Sequence, residues 1–194
     1  MPDRCFPRGH RQSQPGQGRT ASHTEALEIY RAIGYRRGEA WTLNSLGITQ
    51  YEIGDYTAAT ASLTRALELQ RQTGNRLGEA NTTYELGAVR RLTGDYPAAI
   101  AGQQQALALY RDLGYQRGEA NVLVELGTVQ RLTGDYPAAA AHYEQALEGI
   151  GRCYLRDGHP DEAARYLRQA LDIYQRIGSP AAERVRQIMG DHGI

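Results

Sequence analysis

The chain has 194 residues, 41% hydrophobic and 23% charged, close to the soluble globular average, which excludes wholesale disorder. Basic and acidic residues balance at 22 each, so the basic excess of a nucleic-acid module is missing, and no apolar run approaches the ~20 residues that span a bilayer. All 22 basic residues are Arg, a bias that follows from GC-rich codons and points to a GC-rich bacterial genome.

The two cysteines, Cys5 and Cys153, form no Cys-x-x-Cys, and the five histidines are scattered. No disulfide framework, metal site or cofactor is expected. The opening residues carry no apolar core of the signal-peptide kind, so a reducing cytoplasm is the expected compartment.

Residues 1–21 hold Arg4, Arg8, Arg11 and Arg19 among Pro, Gln, Gly and Ser with almost no apolar residue, a composition that predicts a disordered tail. Residues 24–33 read as one helix, the second member of a pair whose first member is missing. Its uncovered face is where self-association is expected.

From Gly38 the chain repeats. Gly54-Asp55-Tyr56, Gly94-Asp95-Tyr96 and Gly134-Asp135-Tyr136 recur every 40 residues. Leu46-Gly47, Leu86-Gly87 and Leu126-Gly127 keep step with them, as do Gly38-Glu39-Ala40, Gly78-Glu79-Ala80 and Gly118-Glu119-Ala120. Ala-Leu recurs at 26, 66, 106 and 146. Landmarks locked in phase decide the fold ahead of local propensity.

The units 38–74, 78–114 and 118–156 each read as two helices. The first opens at Gly-Glu-Ala, with its Glu suited to a helix N-terminus, carries apolar residues at helical spacing, and stops at the Gly of Gly-Asp. Asp55, Asp95 and Asp135 are placed to cap the second helix, and Pro97 and Pro137 fit its first turn. That helix ends near Gly34, Gly74 or Gly114. Gly47, Gly87 and Gly127 fall inside the first helix at a cost of about 1 kcal/mol each. Close approach by Ala59, Ala99 and Ala139 is the expected compensation.

The period then breaks. Gly158-His159 follows Gly134-Asp135, and Ala170-Leu171 follows Ala146-Leu147, after 24 residues instead of 40. Sixteen residues and a chain reversal are missing. Tyr143, Leu147, Ile150 and Tyr154 are spaced by four, three and four, one unbroken helical stripe. The spacing predicts a fused helix from about 136 to 156, with a kink at Gly149–Gly151 as the alternative. Residues 157–178 read as the helix of a partial repeat, and 179–194 as a capping segment built on Val185, Ile188 and Met189.

Chemistry finds no foothold. The stretches Gly34–Gly38 and Gly114–Gly118 lack the strand and the Gly-Lys-Ser/Thr of a phosphate loop. His142 and His159 have no ligand partner at useful spacing, Cys153 reads as a small core residue, and the tyrosines recur at packing landmarks. No catalytic residue is expected, and the chain is not read as an enzyme.

Leu86-Gly87, Gly94-Asp95-Tyr96, Ala99 and Ala106-Leu107 resemble the tetratricopeptide-repeat pattern, and the likeness extends over about residues 24 to 178. The 40-residue unit exceeds the usual ~34. It resembles arrays in actinobacterial regulators and repeats of the kinesin light chain type. The resemblance implies an all-α, right-handed α-solenoid of antiparallel helix pairs whose first helices line a concave face. It implies a non-catalytic scaffold for a protein or peptide partner, an extended segment or a helix, with neither nucleic acid nor membrane as a direct partner. By the same resemblance the binding residues are Trp41, Asn44 and Ile48; Asn81, Tyr84, Ala88 and Arg91; and Asn121, Val124, Thr128 and Arg131. The asparagines offer a donor and an acceptor to a peptide backbone, and Arg91 and Arg131 suit an acidic ligand. With no Lys, the family's lysine-based carboxylate clamp is not reproduced. The alternatives are a peptide-sensing array of a transcriptional or signalling regulator, and a truncated gene product.

Overall fold

The computed structural model describes residues 15–176 and 179–194. Among the described residues the chain is all helix: α1 (Pro15–Ala32), α2 (Arg36–Glu52), α3 (Tyr56–Gln72), α4 (Arg76–Leu92), α5 (Tyr96–Asp112), α6 (Gln116–Leu132), α7 (Tyr136–Arg156), α8 (Pro160–Arg176) and α9 (Ala181–His192). Each helix packs on the next along the chain. The first helices of neighbouring units also touch, α2 with α4 and α4 with α6.

A glycine with positive φ, between 63° and 87°, follows every helix from α1 to α6, at 20-residue steps from Gly34 to Gly134. A Cβ would oppose that backbone. Asp55, Asp95 and Asp135 accept hydrogen bonds from the backbone N–H of Ala58, Ala98 and Ala138 at 3.0–3.2 Å, and Asn75 does the same for Gly78 at 3.0 Å. The first helices open two residues ahead of Gly-Glu-Ala, at Arg36, Arg76 and Gln116.

The expected tail is corrected at its end. Residues 15–21 belong to α1, and the remainder, 1–14, lies outside the described residues. Pro15 suits a first helical position, and Arg19 reaches Glu52 of α2 at 2.7 Å. The pair is exposed on both sides, so it joins the start of α1 to α2 with little stabilisation.

The glycines inside the first helices face larger knobs than expected. A Cβ at Gly47 would lie 2.6 Å from Leu63, at Gly87 2.6 Å from Gln103, and at Gly127 2.9 Å from Tyr143. Ala59 and Ala139 contribute only their carbonyl oxygens there, at 3.3 and 3.1 Å. The alanines are small so that their backbones can approach; the side chain one turn later fills the gap.

A second repeating contact joins one unit to the next. Arg31, Arg71 and Arg111, near the ends of α1, α3 and α5, pair with Glu39, Glu79 and Glu119 in the first turns of the following helices at 3.1, 3.0 and 3.7 Å. The apolar core runs in clusters that each bridge three helices or more, as with Leu27, Leu43 and Leu69 across α1, α2 and α3. Among the described residues no helix covers the outer face of α1. Ile29 is 55% exposed, whereas Leu69 and Leu109, its counterparts in α3 and α5, are 0% and 7% exposed.

The helices α2 to α6 and α8 have 17 residues each; α7 has 21. The fused helix is therefore present and continuous through Gly149–Gly151. Position 154, where the 20-residue series calls for the next left-handed glycine, holds Tyr154, so the helix runs on until Gly158 (φ 80°). As a second helix, α7 lays Tyr143 on Gly127 of α6; as a first helix, it receives Leu167 of α8 on Gly151, 2.6 Å from a Cβ there. It fills both roles.

Beyond α8, α9 closes the array by burying Ala182 and Val185 against Leu167, Ala170 and Tyr174. A buried carboxylate pins it. Glu148 of α7, 5% exposed, accepts from Arg184 Nε and Nη2 at 2.9 and 2.6 Å and from the Tyr174 hydroxyl at 3.3 Å. Nearby, Glu144 is 3% exposed and its Oε1 has no hydrogen-bond partner among the described residues; burial pushes its carboxyl above the usual carboxylate range.

Two predictions follow from α7. A Cβ at Gly149 meets only Ala120, at 3.6 Å, so Gly149→Ala is expected to stabilise by up to about 1 kcal/mol through helix propensity. Gly151→Ala, two residues on, collides with the fully buried Leu167 and is expected to cost about 1–3 kcal/mol. Urea unfolding of the two variants checks the sign of each. For Glu144 the charged form is the one penalised, so its cost is felt as pH rises through its folded pKa. Glu144→Gln is expected to stabilise by about 1 kcal/mol near neutral pH. The gain should shrink near pH 4, where the carboxyl protonates; unfolding at about the two pH values tests this.

Candidate binding face of the first helices

The helices α2, α4 and α6 stand side by side, and the residues predicted to bind lie along one row of each, at i, i+3 and i+7 spacing. The structure divides them into those absorbed by packing and those left free.

Several are absorbed. Asn44 accepts a hydrogen bond from Thr82 Oγ1 across the α2–α4 contact at 2.9 Å, and Asn81 accepts one from the Tyr110 hydroxyl at 2.7 Å. Tyr84 is half-buried, and its hydroxyl is pushed up to about 12, chiefly by burial. Its carbonyl accepts from Gln103 Nε2 at 3.1 Å. Ala88 is 7% exposed: packed between helices, it offers no surface, which corrects its place among the expected binding residues. Arg91 is engaged as well. Its Nε donates to Glu125 of α6 at 2.7 Å, with both side chains largely buried. Ile48 and Thr128 are half-buried, and the Thr128 hydroxyl donates to the Val124 carbonyl at 2.8 Å and lies 3.2 Å from that of Tyr143.

The pairing of Arg91 belongs to a ladder that sequence reasoning missed. Tyr51 of α2 donates to Glu85 of α4 at 2.9 Å, and Arg91 of α4 to Glu125 of α6, both over 34 residues. Burial raises the carboxyl of Glu85, partly offset by that Tyr51 bond. The signal was available: Tyr51, Arg91 and Arg131 share one repeat position, and Ser45, Glu85 and Glu125 another. The acids become partners only because neighbouring first helices lie adjacent.

The ladder stops at α6. Arg131 is exposed and has no ionic partner among the described residues; the position that would supply its acid is occupied, after the 16-residue loss, by Gly149. Among the described residues Asn121, the counterpart of Asn81, also has no side-chain hydrogen-bond partner, and Ile150 occupies the position that Tyr110 holds in the preceding unit. Val124 is 39% exposed and Trp41 64%. Free side chains thus concentrate on α6, with Trp41 alone at the far edge.

Among the described residues no three His, Cys, Asp or Glu side chains gather as a metal site, and no helix is long and apolar enough to cross a membrane. Cys153 is buried, and burial raises its thiol above the ordinary value. His142 Nδ1 lies 2.7 Å from Gln130 Oε1 and 3.0 Å from the Ala138 carbonyl, a packing role.

Comparison with known proteins agrees with this geometry. The tetratricopeptide-repeat family pattern matches residues 21–72 and 78–149, and a second pattern of the same description matches 146–181. The two overlap inside α7, the helix that serves two units. No curated protein matches the chain. Among solved structures, BtubC (BKLC) from P. vanneervenii shares the fold at 15% identity and TM-score 0.61, covering 92% of this chain and 93% of that one. A Rap conjugation gene regulator of plasmid pLS20, solved with the Phr* peptide, is 13% identical with TM-score 0.53, over 96% of this chain and 64% of that one. MamA is 25% identical with TM-score 0.49, over 85% and 97%. Repeat, helix pairing and family pattern coincide over most of the sequence, and the chain belongs to the tetratricopeptide-repeat family.

Proposed function

We propose that the chain is a non-catalytic interaction scaffold whose α2–α4–α6 row forms a concave face for a peptide or partner segment. The observation that carries this is the contrast along that row. In its interior the polar groups are consumed by contacts between units, while Trp41, Asn121, Val124 and Arg131 stay exposed or unpaired. Large aromatics and arginines dominate binding energetics. The Rap regulator supports a peptide ligand insofar as the same fold holds one there, and a sensing role within a bacterial regulator is the finer form of this proposal. A reducing, cytoplasmic setting is consistent with the unpaired Cys153 thiol. The open face of α1, with Ile29 and Ile33 at 55% and 67% exposure, favours self-association as a second contact.

Affinity capture from the native cell tests the assignment. Trp41→Ala or Arg131→Ala is expected to lose the captured partner by about tenfold or more, with far-UV helicity unchanged. Arg65→Ala and Gln104→Ala, on the second helices, should retain it; loss through these instead would place binding on the opposite face.

A further inference from the structure

Where α2 touches α4 and α4 touches α6, no contact of that extent joins α6 to α8. Between them lies a cleft of about 380 Å³, floored by Ile150 and Cys153 and walled by Tyr154 and Tyr166, with Asn121 beside it. The Arg117–Asp157 ion pair, at 3.3 Å, completes the lining. The two tyrosine rings stack at 5.4 Å and 7°, and the Arg165 guanidinium lies 4.7 Å from the ring centre of Tyr166, so this wall is stiffly built.

The preceding unit shows what fills the corresponding space there. In the preceding unit Tyr110 extends its ring over Gly118 of α6 and bonds Asn81 through its hydroxyl. In the next unit the fused helix puts Ile150 at that position. A ring and a hydroxyl are lost together, leaving a cavity and an unbonded amide side by side. The position that would face Arg131 with an acid is Gly149. Asn121 and Arg131 are ten residues apart on α6, about 15 Å at helical rise, a span that an extended chain covers in about four or five residues.

We propose that this cleft accepts a large apolar side chain, of the phenylalanine type, from the segment bound on the α2–α4–α6 face. The Asn121 amide bonds the backbone of that segment, and Arg131 meets an acidic residue four or five positions along it. The assignment rests on the binding face proposed above and adds the chemistry of its occupant. An apolar floor with a few convergent polar groups is the usual make-up of a ligand pocket, and here the lost Tyr side chain defines both the shape and the hydrogen bond to be replaced.

The full chain, isotopically labelled, is titrated with N-acetyl-phenylalanine amide and, as control, N-acetyl-alanine amide. The phenylalanine probe alone should shift the Asn121 side-chain amide and the backbone signals of residues 150–154. Ile150→Tyr rebuilds the occupant seen in the preceding unit and should weaken that probe by about tenfold through direct exclusion. Asn121→Leu, an exposed substitution that leaves the core intact, should weaken it severalfold. Finally, a short acetylated peptide with Asp five residues from Phe should bind about threefold tighter than its Ser counterpart, and Arg131→Gln should erase the difference. The proposal is overturned if the phenylalanine probe shifts none of these signals, if both cleft variants bind it as wild type does, or if the Asp preference is absent or survives Arg131→Gln. Such a result would leave partner capture through Trp41 and Arg131 to stand or fall independently.

Discussion

In each helix pair of the array the first helix gives up a Cβ where a side chain of the second helix enters, and that constraint organises the repeats. At Gly47, Gly87, Gly127 and Gly151 the missing Cβ admits Leu63, Gln103, Tyr143 and Leu167. Gly is a poor helix residue, but here each one brings two backbones close enough to bury an apolar stripe from both. The knob itself is variable: an aliphatic, an amide and an aromatic all serve. What is fixed is the empty space.

Because the contact is local to each helix pair, the array tolerates the loss of sixteen residues. A helix has more than one face, so α7 presents Tyr143 to α6 and, eight residues on, Gly151 to α8. The absence of a left-handed glycine at 154 makes this continuous. The cost appears elsewhere. The Tyr51–Glu85 and Arg91–Glu125 ladder is not continued from α6 to α7, because the position that would carry the next acid is Gly149. The far end is then closed by different means, with Glu148 held among Tyr174 and Arg184 while α9 covers Tyr174 and Leu167.

Paired and unpaired polar groups are thereby separated within one repeat position. Asn81 and Asn121 are the same residue in the same place, yet one is a packing acceptor and the other is free. Arg91 and Arg131 divide in the same way. The Arg91 guanidinium is held in a largely buried pair with Glu125, whereas that of Arg131 has no ionic partner among the described residues. The irregular unit therefore differs chemically from the regular ones as well as geometrically.

The sequence by itself determined the helix pairs, their 20-residue rhythm of glycine stops, the Asp caps and the fused helix, because all of these follow from short-range rules that phase-locked residues repeat. Family membership was legible for the same reason. It did not determine α1 before Thr24, a polar stretch that is helical and whose Arg19 meets Glu52 of α2 in an exposed ion pair. Nor did it reveal which side chain fills each helical glycine, since Leu63 and Tyr143 reach that gap from one turn away. Least legible was which residues of the expected row stay free. Eleven residues share the expected row, and only the tertiary structure separates Arg91 from Arg131 and Asn81 from Asn121. Whether a polar side chain is spent or free depends on its neighbour 29 or 34 residues away, and on whether the helix bearing that neighbour still stands beside it.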